Sequence, residues 1–232
     1  INLMYMKRSL RLHNYLKTFL FLAIFGFNAQ VSFGQLLTED FNYPVGAVLT
    51  TTAPADPTTG WLAHSGNGTQ NIDVTNGLSF PGFAGSGVGG AANLDNNGQD
   101  INKTFPSQTT GTLYASMMIQ TQSTNAAGYF FMFSPSPVAT TFTSRVWVNG
   151  TGNGIGVGTN APSSYVSIPS GSTVFLVVKY DFASKVSSLF VLNTFSASEP
   201  GLANQTFTET ATVTSLGAVA LRQYAAAQKV IV

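Results

Sequence analysis

The stretch that decides the fold is Thr173–Asn193, with the sequence TVFLVVKYDFASKVSSLFVLN. Two runs rich in Val, Leu and Phe, Thr173–Asp181 and Val186–Asn193, flank the four residues 182–185. Runs rich in β-branched and aromatic residues, separated by a short break, are typical of two strands joined by a tight connection. The stretch therefore predicts a β-hairpin.

Similar apolar runs, bounded by turn residues, recur on both sides of this hairpin. They predict strands at Leu113–Gln120, Gly128–Phe133, Arg145–Asn149, Val213–Arg222 and Lys229–Val232. Two stretches rich in Pro or Gly, 50–59 and 81–90, predict loops. Short strands at this spacing, without helical periodicity between them, indicate an all-β antiparallel β-sandwich of the jelly-roll type. We expect one domain, 35–232, that is truncated before its last strand.

The first 34 residues have the layout of a secretory signal peptide. A basic start, Met6–Arg11, precedes the apolar run Phe19–Phe27, and the small residues Ser32 and Gly34 precede the expected cleavage before Gln35. A membrane anchor is the alternative. The apolar run Phe19–Phe27 has nine residues, however, whereas a helix that spans a membrane needs about 20. The pattern predicts a secreted or cell-surface protein with no membrane insertion after signal cleavage.

Charge is scarce along the whole chain. Only 8% of the residues are charged, whereas soluble domains carry about 25%. From Gln35 onward six basic and nine acidic residues give a net charge of −3. Such a domain has no basic footprint for a phosphate backbone or for anionic lipid, so nucleic acid is excluded as a partner.

Several segments of the first half carry a family resemblance. Leu37–Gly46, Gly60–Gly66, Leu78–Phe83 and Asn97–Phe105, followed later by Val177–Asp181, occur in the order found in one family. In these segments the chain resembles the N-terminal concanavalin A-like (LamG-like) jelly-roll domain of surface or secreted bacterial proteins exported by the type IX secretion system. The resemblance implies a β-sandwich outside the cell, with further domains after Val232.

The sequence offers no catalytic residues. The nine acidic residues after Gln35 are scattered, and no strand carries the pair of carboxylates that glycoside hydrolysis needs. His64 is the single histidine of that region, and no Gly-x-Ser-x-Gly elbow precedes a helix. We expect His64 to pack or hydrogen-bond locally near a strand end.

One short loop has the composition of a cation site. The segment Asp95–Asp100, DNNGQD, offers Asp95, Asn97 and Asp100 as oxygen ligands. Calcium prefers such carboxylate and amide oxygens, and jelly rolls of the resembled class often hold a structural calcium ion. A plain Asx-rich turn is the alternative. Structural calcium is the one cofactor that the sequence suggests.

Alternation in one predicted strand suggests a ligand-binding face. Arg145, Trp147 and Asn149 are two residues apart, so we expect them on one side of the strand. A face of one ring, one guanidinium and one amide suits a carbohydrate or cell-surface glycan, and a structural ladder at the strand edge is the alternative.

Three functions remain open at this point. The first is a non-catalytic module for adhesion or glycan binding at a bacterial surface. The second is a polysaccharide lyase or hydrolase on the same fold. The third is a structural spacer of a larger exported protein.

Overall fold

Regular secondary structure in the part of the chain that the structure describes is entirely β. The structure, a computed structural model, describes residues 34–50, 59–66, 68–123 and 126–232. The predicted signal peptide, apart from Gly34, and most of the predicted loop 50–59 lie outside these residues. Residues Leu36–Val232 form one compact unit.

Fourteen strands are described within these ranges. In chain order they are β1 (Leu62–Ser65), β2 (Asp73–Asn76), β3 (Gly90–Leu94), β4 (Asp100–Gln108), β5 (Thr112–Thr121), β6 (Gly128–Ser134), β7 (Thr143–Val148), β8 (Gly154–Val157), β9 (Val166–Ser167), β10 (Thr173–Asp181), β11 (Val186–Leu192), β12 (Gln205–Thr208), β13 (Leu216–Leu221) and β14 (Val230–Ile231).

The strands form two seven-stranded antiparallel sheets. We call the sheet with order β1-β4-β13-β6-β7-β8-β9 the front sheet, and the sheet with order β12-β11-β10-β5-β14-β3-β2 the back sheet. The predicted hairpin is β10–β11, paired from Phe175 with Leu192 to Asp181 with Val186. The predicted all-β antiparallel sandwich is confirmed.

The core lies between the sheets and follows the two-residue alternation of the strands. Ile119 of β5 and Leu176 and Val178 of β10 are completely buried in it, and they face Phe130 and Val146 from the front sheet. Strand β6 is buried at every residue except Tyr129, which is half-buried. The register of β6 against β7 shifts twice along this strand, which lets consecutive rings enter the core.

A smaller apolar layer lies outside the back sheet. Phe175 points away from the main core yet is 2% exposed, because Phe80, Phe83 and Phe195 surround it with ring centroids 4.9–5.6 Å away. The predicted loop 81–90 therefore carries one of the rings that cover the sheet, Phe83, and its last residue begins β3.

The last residues of the chain form an interior strand of the back sheet. Val230 and Ile231 pair with β3 on one side and with β5 on the other. Val232 and Ala92 exchange two backbone hydrogen bonds of 2.8 and 3.0 Å. The predicted strand at Lys229–Val232 thus joins the β12-β11-β10-β5 part of the back sheet to the β3-β2 part.

Candidate ligand-binding face

Strand β7 presents Arg145 and Trp147 on the outer face of the front sheet. Val146 and Val148, which alternate with them, are completely buried in the core. Trp147 is opposite Tyr129 of β6, and the two rings meet edge to face with centroids 5.1 Å apart. Tyr129 lies outside the predicted set of face residues, which was Arg145, Trp147 and Asn149.

Hydrogen bonds to the backbone fix the orientation of both β7 side chains. Trp147 Nε1 donates to the Gly158 carbonyl at 2.8 Å, and Arg145 Nη1 donates to the Thr159 carbonyl at 2.6 Å. Their other partners on this face are aromatic rings. Both side chains are therefore held in one position before any ligand arrives.

A buried carboxylate holds the segment that these two side chains contact. Glu209 is 4% exposed, and its Oε2 accepts from the hydroxyl of Thr159 at 2.6 Å. Its Oε1 accepts from the backbone N–H of Ser144 at 2.8 Å and from the Ser187 hydroxyl at 2.7 Å. Three protein groups on different elements therefore donate hydrogen bonds to this one side chain.

Asn149, the third predicted face residue, lies just beyond the end of β7. Its Oδ1 accepts from the backbone N–H of Asn153 at 3.1 Å, and its Nδ2 donates to Asn153 Oδ1 at 2.8 Å. The Asn149 side-chain amide therefore closes the turn between residues 149 and 153. The structure brings Arg145 and Trp147 together with Tyr129, and it engages the Asn149 side chain elsewhere.

Two further residues of this face come from the segment after β13. The Cζ atom of Arg222 lies 4.2 Å from the centre of the Tyr129 ring and 4.7 Å from that of Tyr224. Arg145 Cζ lies 5.0 Å from the same Tyr129 ring. Tyr129, Arg145, Trp147, Arg222 and Tyr224 together are called the arginine–aromatic face below.

Tyr224 is the most open ring of this face. It is 48% exposed, and its ring covers Gly128 at the start of β6. A Cβ atom at position 128 would lie 2.7 Å from the ring, which is closer than real Cβ contacts allow. Because residue 128 is a glycine, the Tyr224 ring can pack directly against its backbone.

Asp100 stands beside Arg222 at one end of the face. Its Oδ2 lies 3.8 Å from Arg222 Nε, and its Oδ1 accepts from the backbone N–H of Gln223 at 3.1 Å. Burial raises the pKa of this carboxyl to about 6, against the lowering effect of the Gln223 hydrogen bond and the Arg222 charge.

The predicted calcium loop is organised by glutamine side chains and cations. Gln223 Oε1 accepts from the backbone N–H groups of Asp95 and Asn96 at 3.2 and 3.1 Å. The Asn97 N–H reaches Gln70 Oε1 at 3.4 Å, and Asp95 Oδ2 lies 3.7 Å from Lys229 Nζ. Within the described ranges no group of three or more His, Cys, Asp or Glu side chains is placed to hold a metal ion.

His64 lies on β1, the edge strand of the front sheet that pairs with β4. Its Nδ1 is 3.4 Å from Asn102 Nδ2, which also donates to the Leu62 carbonyl, so Nδ1 is the acceptor and Nε2 carries the proton. Nε2 is buried without a partner among the described residues, and burial lowers the pKa to about 4. The ring packs 6.0 Å from Phe142, whose ring lies 5.6 Å from Arg145 Cζ. His64 is a neutral packing residue at pH 7.

Comparisons with solved structures find several proteins to which this chain is similar. A sialidase aligns over 81% of this chain and 15% of its own, with a TM-score of 0.51 and 10% identity. The catalytic domain of a glycoside hydrolase family 131 protein from Coprinopsis cinerea aligns over 85% and 91%, with a TM-score of 0.46 and 14% identity. Lectin I-B4 from Griffonia simplicifolia aligns over 81% and 96%, with a TM-score of 0.43 and 9% identity.

The likeness to the sialidase concerns the fold alone. The sialidase match supports a jelly-roll β-sandwich of the kind expected, although this chain spans only 15% of the sialidase chain. No protein-family model matches the sequence. A search of curated proteins finds no match either. No helix in the described part of the chain is long and apolar enough to cross a membrane.

Proposed function

We propose that this chain is a non-catalytic carbohydrate-binding module and that its ligand lies on the arginine–aromatic face. The observation that carries the proposal is the gathering of three rings, Tyr129, Trp147 and Tyr224, and two guanidinium groups on one outer sheet face. Rings of this kind bind the apolar face of a sugar, and a few fixed polar groups then select its substituents.

The arrangement favours binding because little has to be ordered when a ligand arrives. Trp147 Nε1 is hydrogen-bonded to the Gly158 carbonyl, and the Tyr224 ring packs against the backbone of Gly128. Side chains that are already fixed lose little rotamer entropy on binding, so stacking contributes more of its free energy to affinity. The partly exposed Tyr224 ring offers the first contact.

A glycan array tests this proposal with a matched pair of variants. Tyr224→Ala removes the open ring of the face, and we expect at least a tenfold loss of glycan binding. Tyr114→Ala is the control, because Tyr114 on the back sheet is 45% exposed and also lies under a cation, Lys179 Nζ, at 5.6 Å. Equal binding by both variants and the unmodified chain would place the site elsewhere.

The two other candidate functions are separated by simple measurements. Release of reducing or unsaturated sugars from polysaccharides by the unmodified chain would favour a hydrolase or lyase. Absence of binding to every glycan on the array, by a chain shown to be folded, would favour a structural spacer. We expect binding without release.

Location and assembly belong to the same proposal. The signal-peptide pattern of residues 1–34 supports export, and the family resemblance supports a bacterial surface or secreted protein that uses type IX secretion and has further domains after Val232. Mass spectrometry of protein recovered from the medium of the producing cells tests export, and we expect a mature chain beginning at Gln35.

Structural calcium at Asp95, Asn97 and Asp100 stays a prediction of the sequence. Binding there would have to compete with Lys229 for Asp95 and with Arg222 for Asp100. Titration calorimetry with calcium, together with melting temperatures in calcium and in chelator, tests it. Measurable heat and a higher melting temperature in calcium support the ion, whereas no heat and no shift remove it.

A further inference from the structure

We infer that the arginine–aromatic face selects acidic glycans, whose carboxylate or sulfate group is bound by Arg222; this inference rests on the proposed function. The first support is the distribution of arginine. From Gln35 onward the chain has two arginines, Arg145 and Arg222, and both have Cζ within 5.0 Å of the centre of the Tyr129 ring.

The rest of the charge distribution makes this face distinct. Lys103 and Lys179 each lie 2.6 Å from a carboxylate oxygen, of Glu39 and Glu199 respectively. Lys229 lies 3.7 Å from Asp95. Around Tyr129, in contrast, two guanidinium groups share one nearby carboxylate, that of Asp100 at 3.8 Å from Arg222. Lys185, whose Nζ donates to the Thr212 hydroxyl at 3.0 Å, lies elsewhere and is a single cation. In a domain of net charge −3, the arginine–aromatic face is thus where two cations share one ion-pair partner.

The geometry of Arg222 suits recognition of a planar or tetrahedral anion. Its guanidinium lies over the rings of both Tyr129 and Tyr224, while 24% of the side chain remains exposed. The 3.8 Å separation from Asp100 is longer than a hydrogen bond, and among the described residues none accepts a hydrogen bond from the Arg222 guanidinium. A guanidinium that lies over rings and donates no hydrogen bond to the described residues can pair with two oxygens of one anion.

Arg145, unlike Arg222, is not positioned to donate freely to a ligand. Its Nη1 is engaged by the Thr159 carbonyl, and its Nε is buried without a partner among the described residues. It therefore supplies a fixed positive charge next to Tyr129, while Arg222 supplies the open donors. Stacking on Tyr224 would place a sugar substituent directly beside the Arg222 edge.

The test compares one polymer with and without its acidic groups. The probes are polygalacturonate, the same polymer after chemical reduction of its carboxyl groups, and carrageenan, which carries sulfate esters. Affinity electrophoresis or calorimetry with the unmodified chain is expected to show at least tenfold tighter binding to one or both acidic polymers than to the reduced one. Comparison of polygalacturonate with carrageenan distinguishes recognition of a carboxylate from recognition of a sulfate group.

Two variants separate recognition by Arg222 from a general charge effect. Arg222→Lys keeps the charge but loses the planar pair of donors, and we expect at least a tenfold loss for the acidic polymer and a clearly smaller loss for the reduced one. Lys179→Gln removes a cation that lies over a tyrosine on the back sheet, so it is the matched control and should leave both affinities unchanged.

The outcomes distinguish this inference from the proposed function. Equal binding of reduced and acidic polymers, both lost in Tyr224→Ala, overturns acidic selectivity and leaves carbohydrate binding intact. Unchanged binding of the acidic polymer by folded Arg222→Lys overturns the role of the guanidinium. Binding to no polymer and to no glycan on the array overturns the proposed function itself. The polymer comparison needs no variant, so a variant that fails to fold does not remove the test.

Discussion

Two partly buried groups of the front sheet, His64 and Asp100, should give the protein opposite responses to acid. Burial lowers the pKa of His64 from 6.5 to about 4 and raises that of Asp100 from 3.8 to about 6. Folded His64 binds fewer protons than the unfolded chain between pH 6.5 and 4, so its contribution to stability is lost as the pH falls through that range. Folded Asp100 binds more protons than the unfolded chain between pH 3.8 and 6, so its contribution is lost as the pH rises.

The two effects are similar in size. Each shift exceeds two pKa units, and one unit corresponds to about 1.4 kcal/mol, so each full effect is about 3 kcal/mol. Between pH 7 and pH 4.5 each group changes the free energy of unfolding by about 2 kcal/mol, His64 downward and Asp100 upward. The two contributions therefore nearly cancel in the unmodified chain.

Single substitutions should reveal the separate effects of His64 and Asp100 on the pH dependence of the free energy of unfolding. His64→Gln removes the acid-sensitive group, and on acidification from pH 7 to 4.5 we expect it to gain about 2 kcal/mol relative to the unmodified chain. Asp100→Asn should lose about 2 kcal/mol over the same range. Urea denaturation at several pH values, in buffer with chelator, measures both. Exposed groups with shifted pKa values, such as Asp181 and Glu199, are common to all three chains and cancel in the differences.

A direct titration gives the refuting result. The chain has two histidines, His13 and His64, and the ring proton signal that disappears in His64→Gln belongs to His64. We expect its NMR midpoint near pH 4. A midpoint near 6.5, or a stability difference from the unmodified chain that does not vary with pH, would show that the buried ring is not the source of acid sensitivity.

Three further substitutions test packing and the face. Gly128→Ala places a Cβ atom 2.7 Å from the Tyr224 ring and should weaken glycan binding about tenfold, and unaltered affinity would mean that the ring position is unimportant. Phe175→Ala should cost about 3–5 kcal/mol of unfolding free energy in urea, and a loss below 1 kcal/mol would refute the apolar layer outside the back sheet. Glu209→Gln turns one acceptor into a donor that faces donors, so a loss of about 2–4 kcal/mol is expected in urea, and equal stability would contradict the buried network.

The strands that could be predicted from the sequence are those with long apolar runs. Thr173–Asp181 has the bounds of β10, because residues of this kind alternate between the main core and the covered outer layer. Strands such as β2, with the sequence DVTN, and β12, with QTFT, carry too few apolar residues for such a signal. They are extended because a neighbouring strand pairs with their backbone.

Only part of the candidate face could be predicted, for a similar reason. Alternation along one strand places Arg145 and Trp147 together, and that information is local. The meeting of Tyr129, Arg222 and Tyr224 depends on β13 lying beside β6, a neighbour relation set by the whole front sheet. The position of Asn149 was missed because its side chain closes a turn as soon as the strand ends.

The face and the core are connected through one carboxylate, and this connection explains how a weakly charged protein keeps an arginine in place. Glu209 holds the Thr159 hydroxyl, and the carbonyl of the same residue accepts from Arg145. The other oxygen of Glu209 accepts from the N–H of Ser144, the residue before Arg145. Both the backbone of β7 and the acceptor for its guanidinium are therefore positioned by a group inside the sandwich. Because this buried group is itself satisfied by several donors, the orientation of Arg145 is a property of the folded core and requires no ligand.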